Sequence, residues 1–230
     1  MQLRLFIAKR DVPQVSKNVK SDQLTVISYI LVQTEKTKFD NRKETLYPSE
    51  RWARARIFGE EVSKKLRNHL VAQLNEAGCE AVAPQLSPYW ERKKSERYVF
   101  ASNWSERHAA YASGLGTFGL CDGLITPKGK AIRAGSVIAN IQIPFTARPY
   151  HDHHEYCLFF TTGKCKKCVE RCPADAISES GHDKIKCSAY LNPGTHDYVK
   201  LHYHFDGYGC GLCQTGVPCE SKIPTVNDIQ

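Results

Sequence analysis

The stretch Cys165-Lys166-Lys167-Cys168-Val169-Glu170-Arg171-Cys172-Pro173 decides how this chain is interpreted. Its spacing lets a tight loop present several thiolates to one iron–sulfur cluster, while the last cysteine, directly before proline, turns toward a second cluster. The sequence therefore predicts that this segment binds parts of two [4Fe–4S] clusters.

Five further cysteines lie close to this stretch and complete a set of eight, the number of ligands that two cubane clusters need. We expect a crossed arrangement, in which neighbouring cysteines serve different clusters. One cluster would be held by Cys157, Cys165, Cys168 and Cys219. The other would be held by Cys172, Cys187, Cys210 and Cys213. Seven residues separate Cys157 from Cys165, where two are usual, and the interval from Cys213 to Cys219 is also wide.

Zinc is the alternative metal. Zinc sites are commonly built from two Cys-x-x-Cys pairs, which Cys165/Cys168 and Cys210/Cys213 would supply. A zinc site would leave four neighbouring cysteines unused, and it would not explain the proline after Cys172. The iron–sulfur interpretation accounts for more of the pattern.

Composition indicates a globular protein in a reducing compartment. The chain has 230 residues, 41% of them hydrophobic, and a mean hydropathy of −0.45. The run Leu3–Ala8 ends at Lys9-Arg10 and is too short for the apolar part of a signal peptide, so we expect a cytoplasmic protein. Disulfides are rare there, and clustered thiols usually hold a metal. We expect no membrane association, since no segment approaches the roughly 18 apolar residues of a span.

The net charge of +8 would suit a nucleic-acid-binding protein. Four thiolates on each oxidised cluster contribute about −2, so two clusters would lower the total to about +4. Much of the basic excess could therefore balance the clusters. Binding of tRNA is possible with this composition but is not favoured.

The pattern of hydrophobic residues changes near Pro149-Tyr150, and we expect domains at 1–149 and 150–230. In the first, Leu24–Val32 is predicted to be a buried strand. Ser49 is predicted to cap a helix that ends near Gly78, and Ser105 to cap a helix through Tyr111. The helix after Ser49 should bury Ala55, Phe58, Val62, Leu66, His69, Leu70 and Leu74. Shorter strands are expected at 81–83, 124–126 and 136–143. These elements predict an α+β protein with an α/β-type layered N-terminal domain.

The segment Gly114-Leu-Gly116-Thr-Phe-Gly119 formally fits a dinucleotide-binding motif. We reject that function because the segment follows a helix, whereas the motif must follow a strand and open a helix. The glycines could still allow a ligand to approach the backbone closely, although a helix end with a tight turn explains them equally well. Asp122 follows this turn and is the candidate proton donor; the alternative is a carboxylate bonded to its local backbone. The catalytic residues are otherwise unknown.

The string Glu106-Arg-His-Ala-Ala-Tyr111-Ala-Ser-Gly-Leu-Gly116-Thr-Phe-Gly119, followed by the cysteine-rich region, resembles epoxyqueuosine reductases. The resemblance extends from about Ser105 to Cys219. It implies a nitroreductase-like, corrinoid-binding N-terminal domain and a C-terminal domain like a bacterial two-cluster ferredoxin. Two clusters would then pass electrons to cobalamin, which performs the reduction. The family's acid–base aspartate corresponds to Phe100 here, and the helical repeats that help many members to engage tRNA are missing.

These observations predict an iron–sulfur oxidoreductase that passes electrons to a cofactor, cobalamin under the resemblance, or to a substrate in the N-terminal domain. A reduced ferredoxin- or flavodoxin-like protein would donate the electrons. The substrate would be a small molecule or lie on a partner enzyme. Two alternatives remain open: an electron carrier that docks a partner enzyme, and a tRNA-modifying reductase of the epoxyqueuosine type.

Overall fold

The computed structural model describes residues 23–96 and 99–229, which form two compact units. The first unit contains residues 23–30, 62–96, 99–115 and 134–149. The second unit contains residues 31–61, 116–133 and 150–229. One crossing between them falls at Pro149–Tyr150, where the sequence places its domain boundary, but residues 31–61 and 116–133 are grouped with the C-terminal part. The division into separate domains 1–149 and 150–230 stays a prediction. The run Leu3–Ala8 lies outside the described residues.

Helices and strands both contribute, which is compatible with the predicted α+β class. The strands are β1 (Thr25–Val32), β2 (Ala81–Val82), β3 (Arg92–Ser95), β4 (Val99–Ser102), β5 (Thr117–Phe118), β6 (Leu124–Ile125), β7 (Ile132–Ala139), β8 (Ile177–Ser178) and β9 (Gly181–His182). The α-helices are α1 (Glu35–Arg42), α2 (Glu50–Glu76), α3 (Glu106–Ala112), α4 (Leu158–Thr162), α5 (Lys167–Glu170), α6 (Lys184–Ala189) and α7 (His196–Tyr203). Short 3-10 turns lie at Pro84–Leu86, Leu212–Gln214 and Val226–Asp228, and a distorted helical turn, Tyr190–Thr195, joins α6 to α7.

A three-stranded sheet of order β1-β7-β2 lies mainly in the first unit. Strand β2 pairs antiparallel with β7, Val82 opposite Ile138, and these two side chains form a small apolar core. The predicted strand at Leu24–Val32 is confirmed, but its side chains are half-buried rather than buried. The reason is its place in the order, since β1 is at the edge of this described sheet.

Helix α2 begins and ends where the sequence predicts. The Ser49 hydroxyl accepts from the Trp52 amide at 3.3 Å, and Gly78 has a left-handed φ of 81° just past the last turn. The predicted apolar face is wrong, because Phe58 and Val62 are 50% and 57% exposed. The buried positions of this helix are Trp52, Ala53, Ser63 and Arg67. Polar contacts, which hydrophobic spacing does not reveal, fix this orientation.

A buried ion pair anchors the first unit. Arg67 is 1% exposed, and its Nη1 lies 2.9 Å from Oε1 of Glu106 at the start of α3. Ser136 of β7 donates a hydrogen bond to the other Glu106 oxygen. Burial raises the pKa of Glu106, although Ser136 and Arg67 act in the opposite direction. Helix α3 is confirmed, but Ser105 does not cap it; its hydroxyl lies 2.9 Å from Nδ1 of His108.

The core of the second unit consists largely of cysteines and the residues around them. Leu120, Ile125, Ile177 and Val217 pack against a set of five buried or half-buried thiols. They are Cys121, Cys157, Cys168, Cys172 and Cys213, and the half-buried Cys219 is a sixth thiol of the same hydrophobic cluster. The helices of this unit after residue 150 have eight residues or fewer, so thiol-lined loops rather than helix packing form its interior. The likeness of this region to a ferredoxin stays a prediction.

The exposed β3–β4 hairpin has no counterpart in the sequence-based prediction. Its first strand, Arg92–Ser95, is charged and pairs with Val99–Ser102, Lys94 lying opposite Phe100. Phe100 is 50% exposed. None of the helices in residues 23–96 and 99–229 combines the length and apolar character of a membrane span.

Candidate metal centre

The stretch Cys165–Pro173 folds around the short helix α5. Cys168 lies within this helix, and Cys172 follows it, with its amide bonded to the Val169 carbonyl at 3.0 Å. The Ala176 amide donates to Cys172 Sγ at 3.3 Å. Hydrogen bonds of this kind stabilise a negatively charged sulfur and tune the potential of an attached cluster.

A cavity in the second unit is lined by four of the predicted ligands. They are the four cysteines assigned to one cluster, Cys157, Cys165, Cys168 and Cys219. Gly119, Leu120 and Lys130 contribute further to the wall. The cysteines come from well-separated parts of the chain, so folding, not local spacing, brings them together.

The position of Cys219 is set by a close backbone approach. The Lys130 amide donates to the Cys219 carbonyl at 2.9 Å, and the Ala131 amide donates to the Glu220 carbonyl at 3.1 Å. Gly129 has a φ of +79°, and a Cβ there would lie 2.1 Å from the Glu220 carbonyl oxygen. Only glycine fits both the left-handed backbone and the short distance.

A second set of cysteines also lies close together in the second unit. Burial raises the pKa of Cys210 to about 12, and the neighbouring thiolates Cys187 and Cys172 act in the same direction. Cys213 follows Cys210 by one short turn, and a hydrogen bond that its thiol donates to Cys121, together with burial, raises its pKa. The four cysteines predicted for the other cluster, Cys172, Cys187, Cys210 and Cys213, are therefore neighbours as well.

A ninth cysteine, Cys121, also belongs to this region. Its side chain is buried, hydrogen-bonds Cys168 of the first set and Cys213 of the second, and accepts from Lys130 Nζ at 3.3 Å. These thiol contacts lower its pKa, and the Lys130 charge adds to the effect. Burial by itself lowers the pKa of Lys130, but the thiolates of Cys121, Cys219 and Cys168 outweigh this and raise it.

Arg171 connects the cysteine loops through backbone hydrogen bonds. Its Nε donates to the Thr215 carbonyl at 3.0 Å, just after Cys213. Its Nη1 donates to the Glu44 carbonyl at 3.0 Å and its Nη2 to the Asn41 carbonyl at 3.2 Å. Arg171 directly precedes Cys172, and its guanidinium binds the backbone just after Cys213. This one side chain therefore fixes the distance between two loops that carry different predicted ligands.

We expect Arg171→Met to lower the free energy of unfolding by about 2–4 kcal/mol, because it leaves several partly buried carbonyls without their charged donor. The measurement is urea unfolding of the anaerobic protein followed by circular dichroism. Arg51→Met is the matched control, since Arg51 pairs with Asp40 at an exposed site and such pairs contribute at most about 1 kcal/mol. Equal losses in the two variants would contradict the role given to Arg171.

The carboxylate of Asp122 pairs with side chains far away in the sequence. Asp122 Oδ2 lies 3.2 Å from Nδ1 of His182 and 3.8 Å from Nζ of Lys184. Asp122, followed by Cys187, raises the pKa of His182 to about 9. These partners differ from the local backbone contacts expected of a loop carboxylate, and the role of Asp122 as proton donor stays a prediction.

All three glycines of the turn lie close to other residues of the chain. A Cβ at Gly116 would lie 2.1 Å from the Ile125 carbonyl oxygen, and one at Gly119 would lie 3.3 Å from Ile125 Cδ1. Gly114 has a φ of +84° and lies close to the Ala147 carbonyl. Packing within the chain therefore explains the need for glycine here, so these positions supply no observation that a corrinoid fits. Corrinoid binding at Gly114, Gly116 and Gly119 stays a prediction.

The donor set around this cavity is the one that an iron–sulfur cluster needs. Four cysteine thiols line the cavity, and a [4Fe–4S] cluster takes four cysteine ligands. In residues 23–96 and 99–229, no three His, Cys, Asp or Glu side chains converge closely enough to hold one metal ion. The choice of a cluster over zinc stays a prediction.

Comparison with known proteins gives one group of relatives. No protein-family profile matches the chain. Epoxyqueuosine reductases of Bacillus anthracis and Bacillus cereus are each 31% identical to it over 120 residues, which is 50% of this chain and 29% of the relative. That of Staphylococcus aureus is 31% identical over 130 residues, 54% of this chain and 32% of the relative. The match thus spans about a third or less of these curated relatives. Over about half of its length, the chain is a distant relative of the epoxyqueuosine reductases.

Proposed function

We propose that the chain is an iron–sulfur oxidoreductase that uses two [4Fe–4S] clusters to reduce a substrate of the epoxyqueuosine type. The observation that carries the proposal is the cavity lined by Cys157, Cys165, Cys168 and Cys219. The second set, with Cys172, Cys187 and Cys210 close together, supports a second cluster. Each cluster would supply one-electron transfer.

The protein's own residues bind and tune these clusters. Eight thiolates would hold the iron, while the Ala176 amide would stabilise the Cys172 sulfur. The apolar residues Leu120, Ile125 and Val217 pack around the thiols and would limit the access of water. Exclusion of water strengthens the electrostatic interactions of the clusters and shifts their potentials. The short distance between the two sets, which share Cys121 as a neighbour, would favour electron transfer between the clusters.

The substrate class follows from the relatives' name. Removal of an epoxide oxygen to leave a carbon–carbon double bond consumes two electrons and two protons and releases one water. Two one-electron clusters, refilled by a reduced ferredoxin- or flavodoxin-like donor, would supply the electrons. The resemblance implies that cobalamin takes part, and no reaction step is assigned to it because the glycine turn is filled by the chain's own backbone.

The relatives' name favours the tRNA-modifying alternative more strongly than the composition does. The exposed strand β3 carries Arg92, Lys93 and Lys94 in succession, beside the exposed Phe100 of β4. Basic side chains next to an exposed aromatic ring suit contact with phosphates and bases of RNA. We therefore propose a modified nucleoside within tRNA as the substrate.

The test is product formation by anaerobic protein. Full-length chain, dithionite and tRNA containing epoxyqueuosine, with and without cobalamin, should give the deoxygenated nucleoside in a digest analysed by mass spectrometry. The Cys168→Ala variant should form at least tenfold less, because one cluster would lose a ligand. Cobalamin that stays with the protein through gel filtration would support the corrinoid prediction. Clusters that reduce an added electron acceptor, with no nucleoside product under any condition, would instead support the electron-carrier function.

A further inference from the structure

The second unit contains a buried lysine that no part of the proposed chemistry has used. Lys130 is only 3% exposed, which is rare for lysine unless the ammonium group has a partner. Its Nζ donates to Cys121 Sγ at 3.3 Å. A buried charge without compensation is costly, so a negative group nearby is expected.

The cluster proposed for the adjoining cavity would supply that negative group. Lys130 lines the same cavity as Cys157, Cys165, Cys168 and Cys219. Its backbone amide bonds the Cys219 carbonyl, and Gly129 makes this close approach possible. The lysine is therefore held in place by its backbone on one side and by Cys121 on the other.

We propose that the Lys130 ammonium is a fixed positive charge that raises the reduction potential of the cluster in this cavity. The inference rests on the proposed function, since it needs the cluster to be present. Lys130 would act on the cluster through its charge. It would touch no substrate, and it would set how readily this one cluster accepts an electron.

The direction of the effect follows from charge. An oxidised [4Fe–4S] cluster with four thiolates carries about −2, and one-electron reduction makes it about −3. A nearby cation stabilises the reduced form more than the oxidised form, and the low dielectric of a buried site enlarges the difference. Loss of the cation should therefore make the cluster harder to reduce.

The test is a redox titration of the anaerobic full-length protein followed by EPR. We expect Lys130→Met to lower the ratio of reduced to oxidised cluster at a fixed potential at least tenfold, which is about 59 mV for one electron. Lys130→Arg keeps the charge and should restore most of the potential. Lys128→Met is the matched control, since it removes the charge of an exposed lysine two residues away and should change nothing.

Each outcome is decisive. Intact clusters in Lys130→Met with an unchanged potential would overturn the inference while leaving the proposed function standing. If Lys130→Met fails to fold, the potential is measured in Lys130→Gln, which is shorter and also uncharged. Failure of both uncharged variants to hold clusters would show that Lys130 is a structural residue and would also overturn the inference. Wild-type protein without iron or sulfide would overturn the proposed function itself.

Discussion

Replacing Cys168 with alanine is expected to remove one cluster, and replacing Cys172 is expected to remove the other. The two residues are separated by only three others. Cys168 lines the cavity with Cys157, Cys165 and Cys219, whereas Cys172 lies with Cys187 and Cys210. Each variant should therefore keep about four irons per chain and show a different reduced EPR spectrum.

Cys79→Ala is the control for this pair. Cys79 lies in the first unit, after α2, and outside both sets of clustered thiols, so this variant should keep the wild-type iron content. Identical residual spectra from Cys168→Ala and Cys172→Ala would contradict the crossed arrangement. Such a result would mean that both cysteines serve the same cluster.

Gly129→Ala is expected to cause the largest loss of stability of any conservative substitution considered for the second unit. The added Cβ would lie 2.1 Å from the Glu220 carbonyl oxygen and 2.3 Å from its carbon. Both contacts are with backbone atoms, which cannot rotate away. The backbone segments 129–131 and 219–220 would therefore have to separate. We expect a loss of more than about 3 kcal/mol, of the size seen for severe overpacking, with loss of the cluster that Cys219 holds.

Gly163→Ala separates crowding from backbone strain. Gly163 also has a left-handed φ, +71°, but a Cβ added there would have no atom within 4 Å, so only the cost of the left-handed conformation applies. That cost is about 1–2 kcal/mol. Thermal unfolding and iron content of the two variants provide the comparison. If the two variants lose similar stability and similar amounts of iron, the close packing of Gly129 against Glu220 is not what stabilises this region.

Local patterns in the sequence predict much of this structure. The strand at 24–32, the helix start at Ser49 and its end near Gly78 are all confirmed, because each depends on residues adjacent in the chain. The short spacing around Cys165–Cys172 predicts a ligand loop, because a recurring loop geometry depends on adjacent residues. Folding brings the distant Cys157 and Cys219 to the same cavity, and their assignment to a cluster stays a prediction.

Long-range polar contacts explain what the sequence does not reveal. The apolar face of α2 was predicted wrongly at Phe58 and Val62, because the helix instead buries Arg67 against Glu106, which comes 39 residues later. Cys121 and Lys130 likewise carry no distinctive pattern in the sequence. Their roles depend on the packing of residues 121–130 against Cys168, Cys213 and Cys219 in the folded chain. No rule based on spacing in the sequence predicts these contacts. The charged strand β3 lacks the alternating pattern by which strands are recognised.

Iron and acid-labile sulfide in the anaerobically purified wild-type protein test the central claim most directly. Eight cysteine ligands in two sets predict about eight iron and eight sulfide per chain, with broad visible absorption that bleaches on reduction by dithionite. Stoichiometric zinc without sulfide would contradict the account, because the clustered cysteines would then form zinc sites and could transfer no electrons.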